Sequence, residues 1–566
     1  MEKLSHPWWS SAVVYQIYPR SFCDSDGDGI GDLRGIIGKL DYLADLGIDV
    51  LWLSPVYASP QDDNGYDISD YDAIDPLFGT LADFDELATG LHDRGIRLVM
   101  DLVVNHTSDE HAWFVESRDP ASPKRDWYHW RPAREGFEPG TPGAEPTNWA
   151  SFFGGSGWAY DEASGEYYLH LFSPKQPDLN WENPEVREAV YAMMRRWVDR
   201  GVDGFRMDVI NLISKTLPLA DGRQEQGAPY SDEVERVANG PRMIEFLEEM
   251  NAAVGIDERQ LFTVGEMVLC DADRARAYTS REHPRLGMVF TFEHMSLDQG
   301  GFSKFDLRPL HLPELKKNLA HWQTALADDG WNSLYWENHD QPRVVSRFGD
   351  DSPGHRVAAA KAWATVLHLH KGTPYVYQGE EIGMTNAGFT SIDDYRDIES
   401  LNFYHEAVGA GADPAAVLAG LGLKSRDNAR TPIPWGSDEP SYGFTRGTPW
   451  LPLNANADTI NVQAALAASD GVLEHYKRLI ALRHELEVVQ LGRFELLLAD
   501  DPKLWVFTRT LSSETVLVVA NMSSEACGVP VDELPRLGEA ELLLGGSGGD
   551  IQTLDPWEAR VYLIRN

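Results

Sequence analysis

Four short stretches each end a β-like apolar run in acids, histidines or amides: Asp101-Leu-Val-Val-Asn-His106, Gly204-Phe-Arg-Met-Asp-Val-Ile-Asn211, Val264-Gly-Glu-Met267 and Glu337-Asn-His-Asp340. Arg206 and Asp208 lie two apart, so on a strand both side chains point to one face. A guanidinium beside a carboxylate favours its charged form, and an ionised Asp at a strand end can attack an anomeric carbon. A neighbouring anion such as Asp208 would raise the pKa of Glu266, as a general acid requires. A third acid, Asp340, can hold sugar hydroxyls and favour a cationic transition state. Singly, an Arg-x-Asp pair reads more readily as a buried ion pair, and a Glu after Gly as a helix start. Jointly, three acids at the ends of different strands, with His106 and His339 beside them, point to glycosidic bond chemistry on the rim of a barrel.

Eight apolar runs bounded by turn residues supply the strands: Val13 to Tyr18, Val50 to Leu53, Arg97 to Val104, Val202 to Met207, Leu261 to Val264, Met288 to Phe292, Ser333 to Trp336 and Thr373 to Tyr377. Near-continuous Val/Ile/Leu runs suit parallel strands covered on both faces. Leu81 to Arg94 has the apolar spacing of a crossover helix. The pattern predicts an α/β fold, a (β/α)₈ TIM barrel; a doubly wound sheet would share the same periodicity. The stretch 105–174, rich in Trp, Gly and Pro, is too long for a structureless loop and predicts an inserted subdomain after strand 3. The barrel then occupies 1–104 and 175–490. Residues 491–566 predict a C-terminal antiparallel β domain, a β-sandwich, with strands at Leu504 to Arg509, Thr515 to Ala520 and Ala559 to Ile564.

Asp24-Ser-Asp-Gly-Asp-Gly-Ile-Gly-Asp32 resembles the start of an EF-hand loop, although position twelve is Gly35 and not Glu. The side chains of Asp24, Asp26, Asp28 and Asp32 with the Ile30 carbonyl are expected to hold one structural Ca²⁺, or less well Mg²⁺, away from the chemistry. No organic cofactor is expected. Among the aromatic residues, Tyr66 and Phe172 are the candidates for stacking on a pyranose face. His106 and His339 lack a third ligand at metal spacing and suit hydrogen bonds to sugar hydroxyls.

The chain has 566 residues, enough for two or three domains, and 49 Lys+Arg against 89 Asp+Glu give a formal charge of -40. That excess repels phosphate backbones and anionic membranes, so neither nucleic acid nor membrane is expected as a partner. Three cysteines, Cys23, Cys270 and Cys527, have no metal-like spacing and read as reduced thiols. The start MEKLSHPWW lacks the features of a secretory leader. A cytoplasmic protein, monomeric or weakly self-associating, is the expectation.

Taken in order, the four motifs resemble the signature regions of glycoside hydrolase family 13, the α-amylase superfamily, and the likeness runs over nearly the whole chain. It implies a retaining mechanism with Asp208 as nucleophile, Glu266 as acid/base and Asp340 as transition-state stabiliser. It also implies that Tyr66, Asp67, His106, Phe172, Gln176, Arg206, His339 and Arg426 surround a terminal glucose. Gln176-Pro-Asp-Leu-Asn-Trp181 and the segments 380–384 and 391–397 resemble the oligo-1,6-glucosidase and dextran glucosidase group. Val209, after the nucleophile, accompanies α-1,6 preference in similar enzymes. The resemblance therefore implies an exo-acting hydrolase of terminal α-1,6-glucosidic bonds in isomaltose, isomalto-oligosaccharides and panose, with transglycosylation as a side reaction. The rivals are an α-1,4-glucosidase of maltose or sucrose type and a sucrose isomerase. The segment Asp298 to Pro309 carries only Arg308, against the Arg-rich loop usual in sucrose isomerases. A non-catalytic transporter subunit of the same fold would have a degraded acid triad, and this chain keeps all three acids.

Overall fold

The computed structural model describes residues 7–224, 228–301, 303–438, 440–546 and 551–565; the reading of the first six residues lies outside it. Eight parallel strands form one sheet: β1 (Val14–Ile17), β2 (Val50–Leu53), β3 (Arg97–Val103), β4 (Gly204–Asp208), β5 (Phe262–Glu266), β6 (Met288–Phe290), β7 (Ser333–Leu334) and β8 (Thr373–Tyr377). The order is β6-β5-β4-β3-β2-β1-β8-β7, and a parallel bridge between Val289 and Asn332 joins the two ends into a barrel. Every residue of β1, β2, β4, β5 and β8 is buried, which is why these segments read as unbroken apolar runs and not as alternation.

Register fixes what meets at the rim. Asp101 of β3 pairs with Arg206 of β4, Val103 with Asp208, and Glu266 of β5 with Phe290. Strand β4 can approach β5 this closely only because it begins with Gly204, where a Cβ would stand 2.1 Å from the Phe262 carbonyl oxygen. The helices behind the strands are set by ordinary signals. Leu81–His92 starts with a Thr80/Asp83 capping box and buries Phe84, Leu87, Ala88 and Leu91. Pro184–Asp199 starts with an Asn183 cap and Pro184, and buries Val186, Val190, Met193, Met194 and Trp197.

Between β3 and β4 the chain forms a short helix, Ala112–Ser117, and a three-stranded antiparallel sheet with Glu166–Leu169 between Trp130–Arg131 and Trp158–Asp161. Bridges from His106 to Asp178 and from Tyr128 to Leu179 fasten this insertion to the rim. Its core of Ala144, Trp149, Trp158, Tyr167, Leu169 and Leu171 continues into Val209 and Leu212, just after β4.

The C-terminal region is a five-stranded antiparallel sheet: β9 (Arg493–Leu497), β10 (Leu504–Leu511), β11 (Glu514–Asn521), β12 (Glu541–Leu544) and β13 (Ala559–Arg565), ordered β9-β10-β11-β13-β12. Among the described residues its second layer is a two-stranded ribbon in place of a second full sheet. Period-2 alternation sends Trp505, Phe507, Val516 and Val518 onto the barrel, while Leu504, Val506, Leu517 and Val519 face a small cluster with Val529, Ile551 and Leu554. The barrel covers one face, so a two-residue ribbon pairing Cys527–Gly528 with Thr553–Leu554 suffices on the other. Among the described residues no helix is long and apolar enough to cross a membrane.

Candidate active site

One guanidinium organises the acids at the strand ends. Arg206 Nη1 donates to Asp101 Oδ1 (2.7 Å) and Asp208 Oδ1 (2.5 Å), and Arg206 Nη2 stands 2.8 Å from Glu266 Oε2. Asp101 is held on its other oxygen by Trp52 Nε1 at 2.8 Å. Burial is the largest influence on all of them. It pushes Asp208 up to about 6, against the pull of Arg206, so the guanidinium does not hold Asp208 in the usual carboxylate range as its position suggested. Asp208 is nonetheless mostly ionised at neutral pH. Burial, with Asp208 and Asp340 as neighbouring anions and Arg206 opposing, pushes Glu266 up to about 7, so a large share of Glu266 retains its proton there. Two carboxyls bridged by one guanidinium favour the short spacing, roughly 5 Å, of retaining glycosidases.

Asp340 is the most open of the three acids: its side chain is 27% exposed against 10% for Asp208 and Glu266. Burial raises its pKa, but His339, Arg426 and Arg430 outweigh this and hold it well below the usual carboxylate range. His339 is itself lowered by burial and is neutral near pH 7, leaving the arginines as the charged partners. Gln16 Nε2 stands 2.8 Å from His339 Nδ1, which leaves the Nε2–H to Asp340 Oδ2 at 3.1 Å. Tyr66 stacks on the His339 ring, centroids 5.1 Å apart and planes 4° off parallel.

Beyond Asp340 a second cluster closes the site. Arg426 contacts Asp397 Oδ1 (2.5 Å), Asp340 Oδ1 (3.3 Å) and Asp63 Oδ1 (3.4 Å). Arg430, one helical turn on, donates to Asp340 Oδ1 (2.8 Å) and to the His339 carbonyl (2.8 Å). Gln176 Nε2 donates to Asp63 Oδ2 (3.1 Å) and lies 3.2 Å from His106 Nε2. Phe172 packs at 5.1 Å from the His106 ring and sits between Phe152 and Phe153 at the mouth. Val209 is buried beside these groups, and its N–H donates to Glu266 Oε2 at 3.1 Å.

Asp67 departs from the expectation. Its carboxylate is spent on its own loop, accepting from Ser59 Oγ (3.0 Å) and the main-chain N–H groups of Asp62 (2.8 Å) and Asp63 (3.0 Å). The acid of this loop that reaches Arg426 is Asp63, and Asp67 shapes the turn that presents it.

A family model for the alpha-amylase catalytic domain matches residues 16–492, which span the barrel and its insertion. The chain belongs to the alpha-amylase family. It is 55% identical to an oligo-1,6-glucosidase of Parageobacillus thermoglucosidasius and 53% identical to an oligo-1,6-glucosidase of Bacillus cereus, over 99% of each chain in both cases. A solved trehalose-6-phosphate hydrolase of Bacillus licheniformis superposes with a TM-score of 0.93 at 45% identity, covering 99% of this chain and 100% of the other.

This alpha-amylase family barrel also carries the acidic loop before the helix Leu33–Ile37. Asp24, Asp26 and Asp28 bring one carboxylate oxygen each within 4.8 Å of one another. Oxygens at that separation match the spacing of a site for one Ca²⁺, whose ligands stand at about 2.3–2.6 Å. Burial, with Asp26, Asp24 and Asp32 as neighbouring anions, pushes the Asp28 carboxyl up, a strain that a cation would relieve. Asp32 stands outside the trio. Its Oδ1 caps the helix through Gly35 N (2.7 Å) and its Oδ2 accepts from Ser25 N and Ser25 Oγ (2.8 and 2.9 Å). Ile30 donates its N–H to Asp28 Oδ1 at 2.8 Å.

Sequence reasoning missed three groups, and each had a signal. Asp63 lies in the acid-dense turn Asp62-Asp63-Asn64-Gly65-Tyr66-Asp67, where three acids compete for one role. Arg430 follows Arg426 by four, the spacing that puts both on one helix face. Asp397 ends the segment 391–397 that the family resemblance had singled out, and it is fully buried under the two arginines.

Proposed function

We propose that the protein is an exo-acting, retaining α-glucosidase that hydrolyses terminal α-1,6-glucosidic bonds of isomaltose, isomalto-oligosaccharides and panose. The observation that carries this reading is the Arg206 hub: one guanidinium holds an ionised Asp208 and a partly protonated Glu266 side by side. Asp208 attacks the anomeric carbon while Glu266 protonates the departing oxygen, and the same Glu266 then takes a proton from the water that hydrolyses the glycosyl-enzyme. Asp340, anionic throughout, favours the positive charge on the ring. Tyr66, His106, Phe172, Gln176, Arg206 and His339 frame the glucose, with Asp63 taking the place first given to Asp67. The Asp63–Arg426 pair, backed by Asp397, forms a wall behind that glucose, which supports exo action.

The α-1,6 preference rests on Val209 and on the oligo-1,6-glucosidases at 53–55% identity. A trehalose-6-phosphate hydrolase reading would require a free cation at the mouth for the phosphate. Lys304, linked to Arg426 through Glu399, is paired with that carboxylate, which approaches Arg426 Nε at 3.6 Å. The decisive measurement is product release from isomaltose, panose, maltose, sucrose, trehalose and trehalose-6-phosphate. Isomaltose and panose are expected to lead maltose by at least about tenfold in kcat/KM, a difference of about 1.4 kcal/mol in transition-state binding. Comparable efficiency on maltose replaces the reading with an α-1,4-glucosidase, and isomerised sucrose replaces it with a sucrose isomerase. At high sugar concentration an acceptor hydroxyl captures the glycosyl-enzyme in place of water.

The Asp24–Asp26–Asp28 trio is proposed to hold one structural Ca²⁺, with Mg²⁺ a weaker occupant because it demands a stricter octahedron. The ion would tie the loop after β1 without entering the reaction. The three unpaired cysteines support a cytoplasmic site of action on small oligosaccharides, by a monomer or weak homo-oligomer.

A further inference from the structure

Val209 occupies the left-handed region, at φ 35° and ψ 40°. For a β-branched residue this is a costly conformation that persists only where the surroundings enforce it. Here they do. The Val209 side chain is buried in a cluster with Leu212, Val237 and the Trp149, Trp158, Leu169 and Leu171 core of the insertion, and Phe172 packs against the same cluster. The reversal ends β4 at Asp208 and begins the short helix Ile210–Leu212. The amide of residue 209 therefore leaves the ladder and donates to Glu266 Oε2 at 3.1 Å, the oxygen that Arg206 Nη2 also holds at 2.8 Å.

We infer that the Val209 main-chain amide is a positioning group for the acid/base, fixing the transferable proton on Glu266 Oε1 and stabilising the carboxylate left when that proton departs. An oxygen facing two N–H donors has no use for a proton of its own, so the O–H must lie on Oε1. In glycosylation, the C1–O bond breaks as Asp208 bonds to C1, and the Oε1–H bond breaks as its proton passes to the departing oxygen. The electron pair left on the carboxyl is shared with Oε2, where Arg206 and the amide hold it. In deglycosylation the water oxygen bonds to C1 as the C1–Asp208 ester bond breaks and returns its pair to the Asp208 carboxylate, and the water proton passes to Oε1. The side chain at 209 thus does more than border the leaving sugar: through its clamp on the backbone it tunes the strength of the acid. The inference rests on Glu266 being the acid/base.

The test replaces Val209 by its α-hydroxy analogue, an amide-to-ester change that keeps the side chain and deletes the N–H. The basic limb of kcat/KM for isomaltose is expected to move up by about half to one pH unit, because the carboxylate loses a donor. Turnover of isomaltose is expected to fall by about tenfold, the scale of a hydrogen bond to a charged group. Turnover of p-nitrophenyl α-glucoside, whose leaving group needs little protonation, should fall far less. A parallel pair uses ordinary residues: Val209→Asn tolerates the left-handed region and should leave the basic limb in place, whereas Val209→Gly frees φ and should move it up. An unmoved limb in the ester, equal losses on both substrates, or Asn and Gly variants that shift together would overturn the inference. Glu266→Gln, measured alongside, tests the underlying reading separately: if Glu266 is not the acid/base, this variant keeps the wild-type basic limb.

Discussion

Asp63 and Asp67 show how two carboxylates four residues apart divide between chemistry and scaffold. Asp63 meets Arg426 and Gln176, whereas Asp67 satisfies three donors of its own loop. Asp63→Ala is expected to lower kcat/KM on the order of 100-fold, because Gln176 and Arg426 lose their partner at the substrate, and to lower the melting temperature by stranding those buried donors. Asp67→Ala should cost about 2 kcal/mol of stability by stranding loop donors, read in thermal or urea unfolding, with a much smaller loss of kcat/KM below the transition. Equal losses of kcat/KM for the two variants would contradict this division. Proton placement gives a second expectation. Asp208 must be ionised, so kcat/KM rises with pH through about 6, and Glu266 must be protonated, so it falls as pH passes about 7. These limbs belong to the cluster that shares Arg206 and not to isolated residues. A narrow bell is expected in a pH series with isomaltose; a plateau extending to pH 9 would rule out this assignment.

At the scale of elements, the loop from Asp24 to Asp32 joins β1 to the helix Leu33–Ile37 through two separate devices. Asp32 supplies a helix cap, and the Asp24–Asp26–Asp28 trio supplies one carboxylate oxygen each within 4.8 Å of the others, the proposed cation site. Removing divalent metal with a chelator is expected to lower the melting temperature by several degrees, with Ca²⁺ restoring it better than Mg²⁺. An Asp26→Asn, Asp28→Asn double variant should lose that dependence while keeping activity at low temperature. Asp32→Ala should destabilise by about 1 kcal/mol, as the loss of a helix cap does, and leave the Ca²⁺ response intact.

At the scale of the whole molecule, the junction of barrel and C-terminal sheet buries two cations against main-chain carbonyls, beside exposed ion pairs such as Lys317–Asp500. Lys316 Nζ, on the barrel helix Leu312–Ala325, donates to the carbonyl oxygens of Leu498 (2.7 Å), Asp501 (2.7 Å) and Leu504 (2.8 Å). From the other side, Arg509 of β10 donates to the carbonyls of Gly492 (2.8 Å) and Leu369 (2.7 Å). Lys316→Met removes the donor to three carbonyls, one buried and two half-buried, and is expected to cost about 3 kcal/mol, measured by thermal unfolding, with kcat/KM for isomaltose below the transition unchanged. An unaltered melting temperature would mean that apolar packing through Trp505 and Phe507 alone holds the sheet in place.

The sequence by itself determined an α/β fold of buried parallel strands, since such strands read as near-continuous apolar runs, and it located the strand-end acids, since side chains two apart on a strand share a face; closure of the sheet into a barrel was decided by the bridge between Val289 and Asn332. It also named most of the site, because Asp208, Glu266, Asp340, Arg206 and His339 lie within a few residues of strand ends whose positions periodicity fixes. Only the tertiary structure decided which acid of the 62–67 turn faces Arg426, because a turn has no periodicity and loop hydrogen bonds choose the direction of each carboxylate. Only it assigned Asp32 to a cap and Asp397 to the arginine cluster, and only it showed that the C-terminal sheet needs no second full layer when the barrel covers one face. The left-handed Val209 was invisible in the sequence for the same reason. No residue preference predicts a strained valine, and contacts from a segment dozens of residues away enforce it.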